Sequence, residues 1–274
     1  MIEILVEMFS YPFLVRAMVV GLLVSLCCAM LGVSLVLKRY SMIGDGLSNV
    51  GFGALAVASV LNVAPLSFAI PVVVAAGFLL RMNENSLIKG DAAIALVSTG
   101  SLSIGVLVMS LTTGMNLDVC NYMFGSILAM TQSDVYLSMV LSALVLLLFI
   151  LFYHKMFAIT FDETFAKATG IRVGFYKMLL AVLTALTITL GMRLMGTLLI
   201  SSLIVFPALT AMRLCRSFKW VMIHSIFISV ICFFLGLVMS YLAATPPGAS
   251  VVAMNIVMFF IYSLLSFVSK GVKR

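Results

Sequence analysis

The chain has 274 residues, 64% of them hydrophobic and only 9% charged, with a mean hydropathy of +1.28. A water-soluble core has no use for that composition, whereas a bilayer core of about 30 Å asks for about 20 apolar residues per helical span. The net charge of +7 needs no nucleic acid to explain it, because the basic residues sit between apolar runs and suit an anionic membrane surface.

Apolar runs predict spans near 12–37, 45–62, 65–80, 92–111, 134–154, 175–191, 194–212, 220–242 and 249–269. The expected fold is therefore all-α: a polytopic helical membrane protein with about nine transmembrane helices, eight to ten. The apolar stretch 121–131 is too short to cross alone. It is read as a re-entrant or interfacial piece, which lipid tolerates only under a cover of protein.

Charge then sets the orientation. With the loop Lys38–Gly44 placed in the cytoplasm, alternation puts every Lys and Arg except Arg16 and Arg193 on that side. Glu3, Glu7 and Asp118 fall on the other. The positive-inside rule thus predicts an N-terminus out and a C-terminus in. The first eleven residues hold two acids and no base, the wrong n-region for a cleavable signal peptide.

Several functions lose support from what is missing. No Gly-x-x-x-x-Gly-Lys-Ser/Thr loop is present to cradle nucleotide phosphates. His154 and His224 stand singly, with no His-Glu-x-x-His, and Gly44-Asp45 lacks the first glycine of the Gly-x-Gly-Asp pattern of intramembrane aspartyl proteases. The five cysteines show no Cys-x-x-Cys spacing, and most lie in or beside spans, where Cys behaves as a small hydrophobe. The chain reads as a non-enzyme.

Three segments stand out from the apolar background. In the first, Lys38 to Gly53, Asp45 and Asn49 are four residues apart and share one helix face. Ser41, Ser48 and Phe52 surround that face, and Gly46, Gly51 and Gly53 allow a close helix approach. An acid beside a span is a candidate for a ligand or ion path. Spacing leaves equally open that Asp45 only caps the second span.

The second segment, 160–171, reads as a short helix with Asp162 and Glu163 in its first turn, Lys167 later, and Gly170 as its stop. Membrane-surface helices favour many bases on the polar face. This one is led by acids, which points to a protein partner. The third segment, 191–211, carries Gly196 and Pro207 inside apolar sequence, and Pro246-Pro247-Gly248 opens the last span. These residues predict kinked or broken helices around a cavity.

At these residues the chain resembles the membrane permease of ABC importers for divalent metals (zinc, manganese or iron). The resemblance rests on the basic pair leading into Ser-Met-Ile-Gly-Asp-Gly-Leu-Ser-Asn at 41–49 and on Phe-Asp-Glu-Thr-Phe-Ala-Lys-Ala-Thr-Gly at 161–170. It also rests on Gly-Thr-Leu-Leu-Ile-Ser-Ser-Leu-Ile-Val-Phe-Pro-Ala at 196–208 and on Pro-Pro-Gly-Ala at 246–249.

The resemblance implies a single permease domain over 1–274 in a bacterial cytoplasmic membrane, with no permanently bound cofactor. It also implies a second permease subunit, identical or not, a cytoplasmic ATPase that uses the ATP, and an extracytoplasmic metal-binding lipoprotein. By position it assigns metal contact to Asp45 and Asn49, and ATPase coupling to Phe161, Asp162, Glu163, Phe165, Ala166 and Gly170. Gly196, Pro207, Pro246, Pro247 and Gly248 become the helix breaks of a gate. Many relatives have His where Asn49 stands. An amide oxygen is a harder donor than imidazole and leaves manganese or iron more open than zinc. The rival readings are a siderophore or cobalamin importer permease and an ion-coupled carrier that works without an ATPase.

Overall fold

The structure is a computed structural model and describes residues 11–82, 90–111, 125 and 132–271. In chain order its helices are α1 (Pro12–Leu37), α2 (Ile43–Val60), α3 (Pro65–Met82), α4 (Gly90–Ser110) and α5 (Gln132–Leu151). There follow α6 (Tyr153–Phe161), α7 (Glu163–Ala168), α8 (Val173–Met195), α9 (Thr197–Leu214), α10 (Phe218–Ala243) and α11 (Pro247–Gly271). No strand occurs among the described residues. Apart from Gly125, the stretch 121–131 lies outside them, as do Glu3, Glu7 and Asp118.

Each of the nine predicted spans has its long helix, because a segment in lipid must satisfy its N–H and C=O groups within itself. Among the described residues, seven helices are long and apolar enough to cross a bilayer, while α3 and α9 hold shorter apolar stretches, Pro65–Leu80 and Leu199–Leu214. Those two also carry a proline in mid-helix, Pro71 and Pro207. Helix α9 runs on through Pro207 to Leu214, so the chain does not break there.

The segment between α5 and α8 differs from expectation. The span read over 134–154 turns at Phe152 (φ −98°, ψ 14°), and a separate helix, α6, begins at Tyr153. The helix read over 160–171 shortens to the six residues of α7. Asp162 is the cause: its extended backbone (φ −147°, ψ 104°) ends α6, and its carboxylate starts α7.

Packing follows the apolar faces. Helix α1 is enclosed by α5, α8, α9 and α10, whereas α2 lies among α3, α4, α8 and α9. Helices α8 and α9 therefore separate α1 from α2 and touch both. Close crossings need a missing side chain: a methyl group on Gly32 of α1 would collide with the Ile204 carbonyl oxygen of α9. Where no water competes, hydroxyls tie helices together. Ser225 and Ser229 of α10 donate to the α1 carbonyls of Ala29 (3.3 Å) and Ser25 (3.1 Å).

Candidate metal path and coupling helix

Helix α2 begins at Ile43, with Met42 as a cap that offers no side-chain bond. Asp45 is thus the third residue of the helix, where the dipole favours its charge. Its carboxylate makes no hydrogen bond or ion pair among the described residues, so the capping alternative has no bond to support it. The flanking glycines fix where Asp45 lies. A methyl group on Gly44 would sit 3.4 Å from Ile204 and 3.6 Å from Ser201, both in α9. One on Gly46 would sit 2.7 Å from Ile94 in α4. The half-buried carboxylate stands at the start of α2, between α9 and α4.

One turn on, Asn49 donates from Nδ2 to Ser98 Oγ of α4 at 2.8 Å. That bond holds the amide and leaves Oδ1 as the atom able to meet a cation. Nothing in the sequence marks Ser98, which is buried and reaches Asn49 only through the packing of α4 on α2. No group of three or more His, Cys, Asp and Glu stands together among the described residues. Asp45 and Asn49, one turn apart on α2, therefore offer two oxygen donors, a sparse set of the kind hard divalent ions take.

The six residues assigned to coupling separate into different tasks. Asp162 caps α7, its Oδ1 accepting from the N–H groups of Thr164 (2.8 Å) and Phe165 (3.0 Å). Gly170, at φ 80°, ends it: Gly170 N–H donates to Lys167 and Ile171 N–H to Ala166, the paired bonds of a Schellman stop. Ala166 is fully buried and anchors the helix from below. Phe161 closes α6 and packs on Phe157 and Phe218, yet remains 59% exposed. Phe165 is 63% exposed on α7. These two rings are the outward-facing apolar surface of the set.

Glu163 turns the other way. Its Oε1 accepts from Lys38 Nζ at the end of α1 (2.7 Å) and pairs with Lys177 Nζ in α8 (2.6 Å). Burial opposes ionisation of Glu163, but hydrogen bonds from Lys177 and Lys38, and their charges, outweigh it and hold the carboxyl below its ordinary value. The three residues bring together at one end of the bundle the two lysines that the charge pattern assigned to one side. Toward the far ends of their helices, Arg193 in the last turn of α8 meets Asp134 in the first turn of α5. Arg193 is one of the two bases that the charge pattern left over.

Gly196 alone joins α8 to α9, at φ 85° and ψ 160°, a conformation essentially confined to glycine. Pro247 occupies the first position of α11, and Gly248 is buried just behind it. Pro246 lies in the turn before, which hydroxyls pin: Ser240 Oγ donates to the Thr245 carbonyl (2.6 Å), and Thr245 Oγ1 meets Ser250 Oγ (2.7 Å). A cavity of about 340 Å³ lies near α7 and is lined by Lys155, Gly170 and Arg172 with Phe175 and Tyr176, not by these breaks.

Comparison with known proteins agrees with this architecture. The ABC 3 transport family matches residues 10–266. The high-affinity zinc uptake system membrane protein ZnuB of Haemophilus influenzae is 29% identical, over 91% of this chain and 96% of its own. The manganese import system permease protein ScaB of Streptococcus gordonii is 26% identical, over 99% of this chain and 98% of its own. Among solved structures, PsaBC from Streptococcus pneumoniae, in complex with Fab, superposes with a TM-score of 0.85 at 29% identity and covers 96% of this chain and 95% of its own. A match from residue 10 to residue 266, with the same helical architecture from end to end, means that this chain belongs to the ABC 3 transport family.

Proposed function

We propose that the chain is the permease subunit of an ATP-driven importer that carries a divalent metal ion (zinc, manganese or iron) into the cytoplasm. The observation that carries the proposal is the Asp45 carboxylate between α9 and α4, unpaired among the described residues, in a chain similar along its whole length to manganese and zinc permeases. A carboxylate held without a cation of its own attracts a divalent ion, whose charge offsets the cost of removing both from water. Asn49 Oδ1 adds a second oxygen.

The end of the bundle bearing Lys38 and Lys177 faces the cytoplasm in this reading, with the N-terminus out and the C-terminus in. There α7, capped at both ends and carrying Phe165 outward, receives a cytoplasmic ABC ATPase. ATP binding and hydrolysis in that subunit open the path alternately to the two sides. An extracytoplasmic metal-binding lipoprotein delivers the ion, and a second permease subunit completes the path, which one carboxylate and one amide leave short of ligands.

Proteoliposomes holding the permease with its ATPase, supplied with the metal-loaded binding protein, test the reading. Uptake that requires ATP and disappears in Asp45→Ala supports it. Uptake at equal rate without ATP contradicts it and favours an ion-coupled carrier.

A further inference from the structure

Helix α7 has six residues, too few to hold a helix in place by its own hydrogen bonds. Something else must fix where it points. Asp162 and Gly170 define its ends, and Ala166 seats it, but none of these ties it to a distant helix by a polar bond. Glu163 does. Its carboxylate faces back into the permease and takes Lys38, whose side chain is 6% exposed, and Lys177, whose side chain is 13% exposed.

We infer that Glu163 is a positioning residue that fastens the start of α7 to the end of α1 and the start of α8, so that a displacement of α7 enters both helices together. The inference rests on the reading of α7 as the ATPase contact, and it gives Glu163 a task other than docking. The two helices it joins lead to different parts of the bundle. Helix α1 packs on α9 and α10. Helix α8 reaches the metal-path helix directly, because Met192 lies against Gly51 of α2, six residues beyond Asp45. Charge-assisted bonds of this length are about twice as strong as neutral ones; the two lysines are largely covered, while Glu163, with 39% of its side chain exposed, leaves the cluster partly screened. With the carboxylate neutralised, α7 keeps its caps and its outward ring but loses its hold on α1 and α8.

The test uses the reconstituted complex of permease, ATPase and binding protein, and reads metal ions taken up per ATP hydrolysed. For Glu163→Gln the ATPase stays bound at wild-type stoichiometry and ATP hydrolysis stays within about twofold. The ratio of metal to ATP falls about tenfold or more, the scale of one lost charge-assisted hydrogen bond. Glu163→Asp, which keeps the charge on a shorter stem, recovers most of the ratio. Lys177→Met breaks the same bond from α8 and lowers the ratio in the same way, which covers the case in which Glu163→Gln fails to accumulate. The inference is overturned by an unchanged ratio in Glu163→Gln and Lys177→Met, or by release of the ATPase from Glu163→Gln, which would make Glu163 a docking residue. If the wild-type permease itself binds no ATPase, the reading of α7 falls first, and the inference falls with it.

Discussion

Arg193 and Asp134 face each other at 3.2 Å, with side chains only 11% and 14% exposed, and tie the last turn of α8 to the first turn of α5. Removing one member of such a little-exposed pair takes away the other's opposite charge, a loss that reaches roughly 3–5 kcal/mol when no other group compensates it. Arg193→Met is therefore expected to lower the unfolding midpoint in detergent by at least about 6 °C. Arg193→Met combined with Asp134→Leu removes both charges and recovers much of that loss. Equal midpoints for the single variant and the wild type would show that the pair holds nothing together.

Gly170 and Gly196 both have positive φ, but Gly170 is the left-handed residue of a Schellman stop, whereas Gly196 is itself the link between two helices. Nothing lies within 4 Å of a methyl group placed on Gly170, so Gly170→Ala carries only the left-handed backbone cost of about 1–2 kcal/mol. Gly196, at ψ 160°, lies outside the left-handed well that other residues visit, and the single-residue connection from α8 to α9 gives it no room to move. Gly196→Ala is expected to be the more damaging variant by thermal unfolding. The reverse order would contradict the account of that connection.

The Glu163 cluster has a defined pH dependence. Its folded-state carboxyl titrates below the ordinary value of 4.5, so its contribution to stability is complete above that value and is lost as pH falls through the lower, folded one. The difference in unfolding midpoint between wild type and Glu163→Gln should stay constant from neutral pH down to about 5 and close only in stronger acid. A difference that fades between pH 8 and 6 would contradict a carboxyl held below its ordinary value.

In the proposed path, Asn49 would set the donor chemistry beside Asp45. Asn49→His replaces a hard amide oxygen with imidazole nitrogen and forfeits the bond to Ser98 Oγ. Competition uptake from equal zinc and manganese is expected to shift toward zinc in the variant. An unchanged ratio would place selection elsewhere in the path.

Much of this fold could be read before the structure, because lipid converts composition directly into helix: every long apolar run became a helix, and Gly170 stopped α7 where predicted. Asp45 stood out for the same reason, as an acid in apolar surroundings. The misses were either local competition or partners distant in sequence. Asp162 was placed in the first turn of one helix but became the cap that divides two, since its short carboxylate reaches the N–H groups of Thr164 and Phe165. The partners of Glu163 and Asp134 were hidden, because Lys38, Lys177 and Arg193 reach them from helices distant in the sequence. Ser98 carried no sign at all, since one serine among apolar residues has many ordinary uses.

The central claim, ATP-driven metal import through a path that includes Asp45, is tested most directly by cell-associated metal. The permease, its ATPase and its binding protein are expressed together in a host lacking metal uptake, and each metal is quantified by mass spectrometry beside Asp45→Ala and an ATPase-dead partner at matched permease levels. The account predicts that one divalent metal rises and that either lesion abolishes the rise. A rise that survives the ATPase lesion would contradict it.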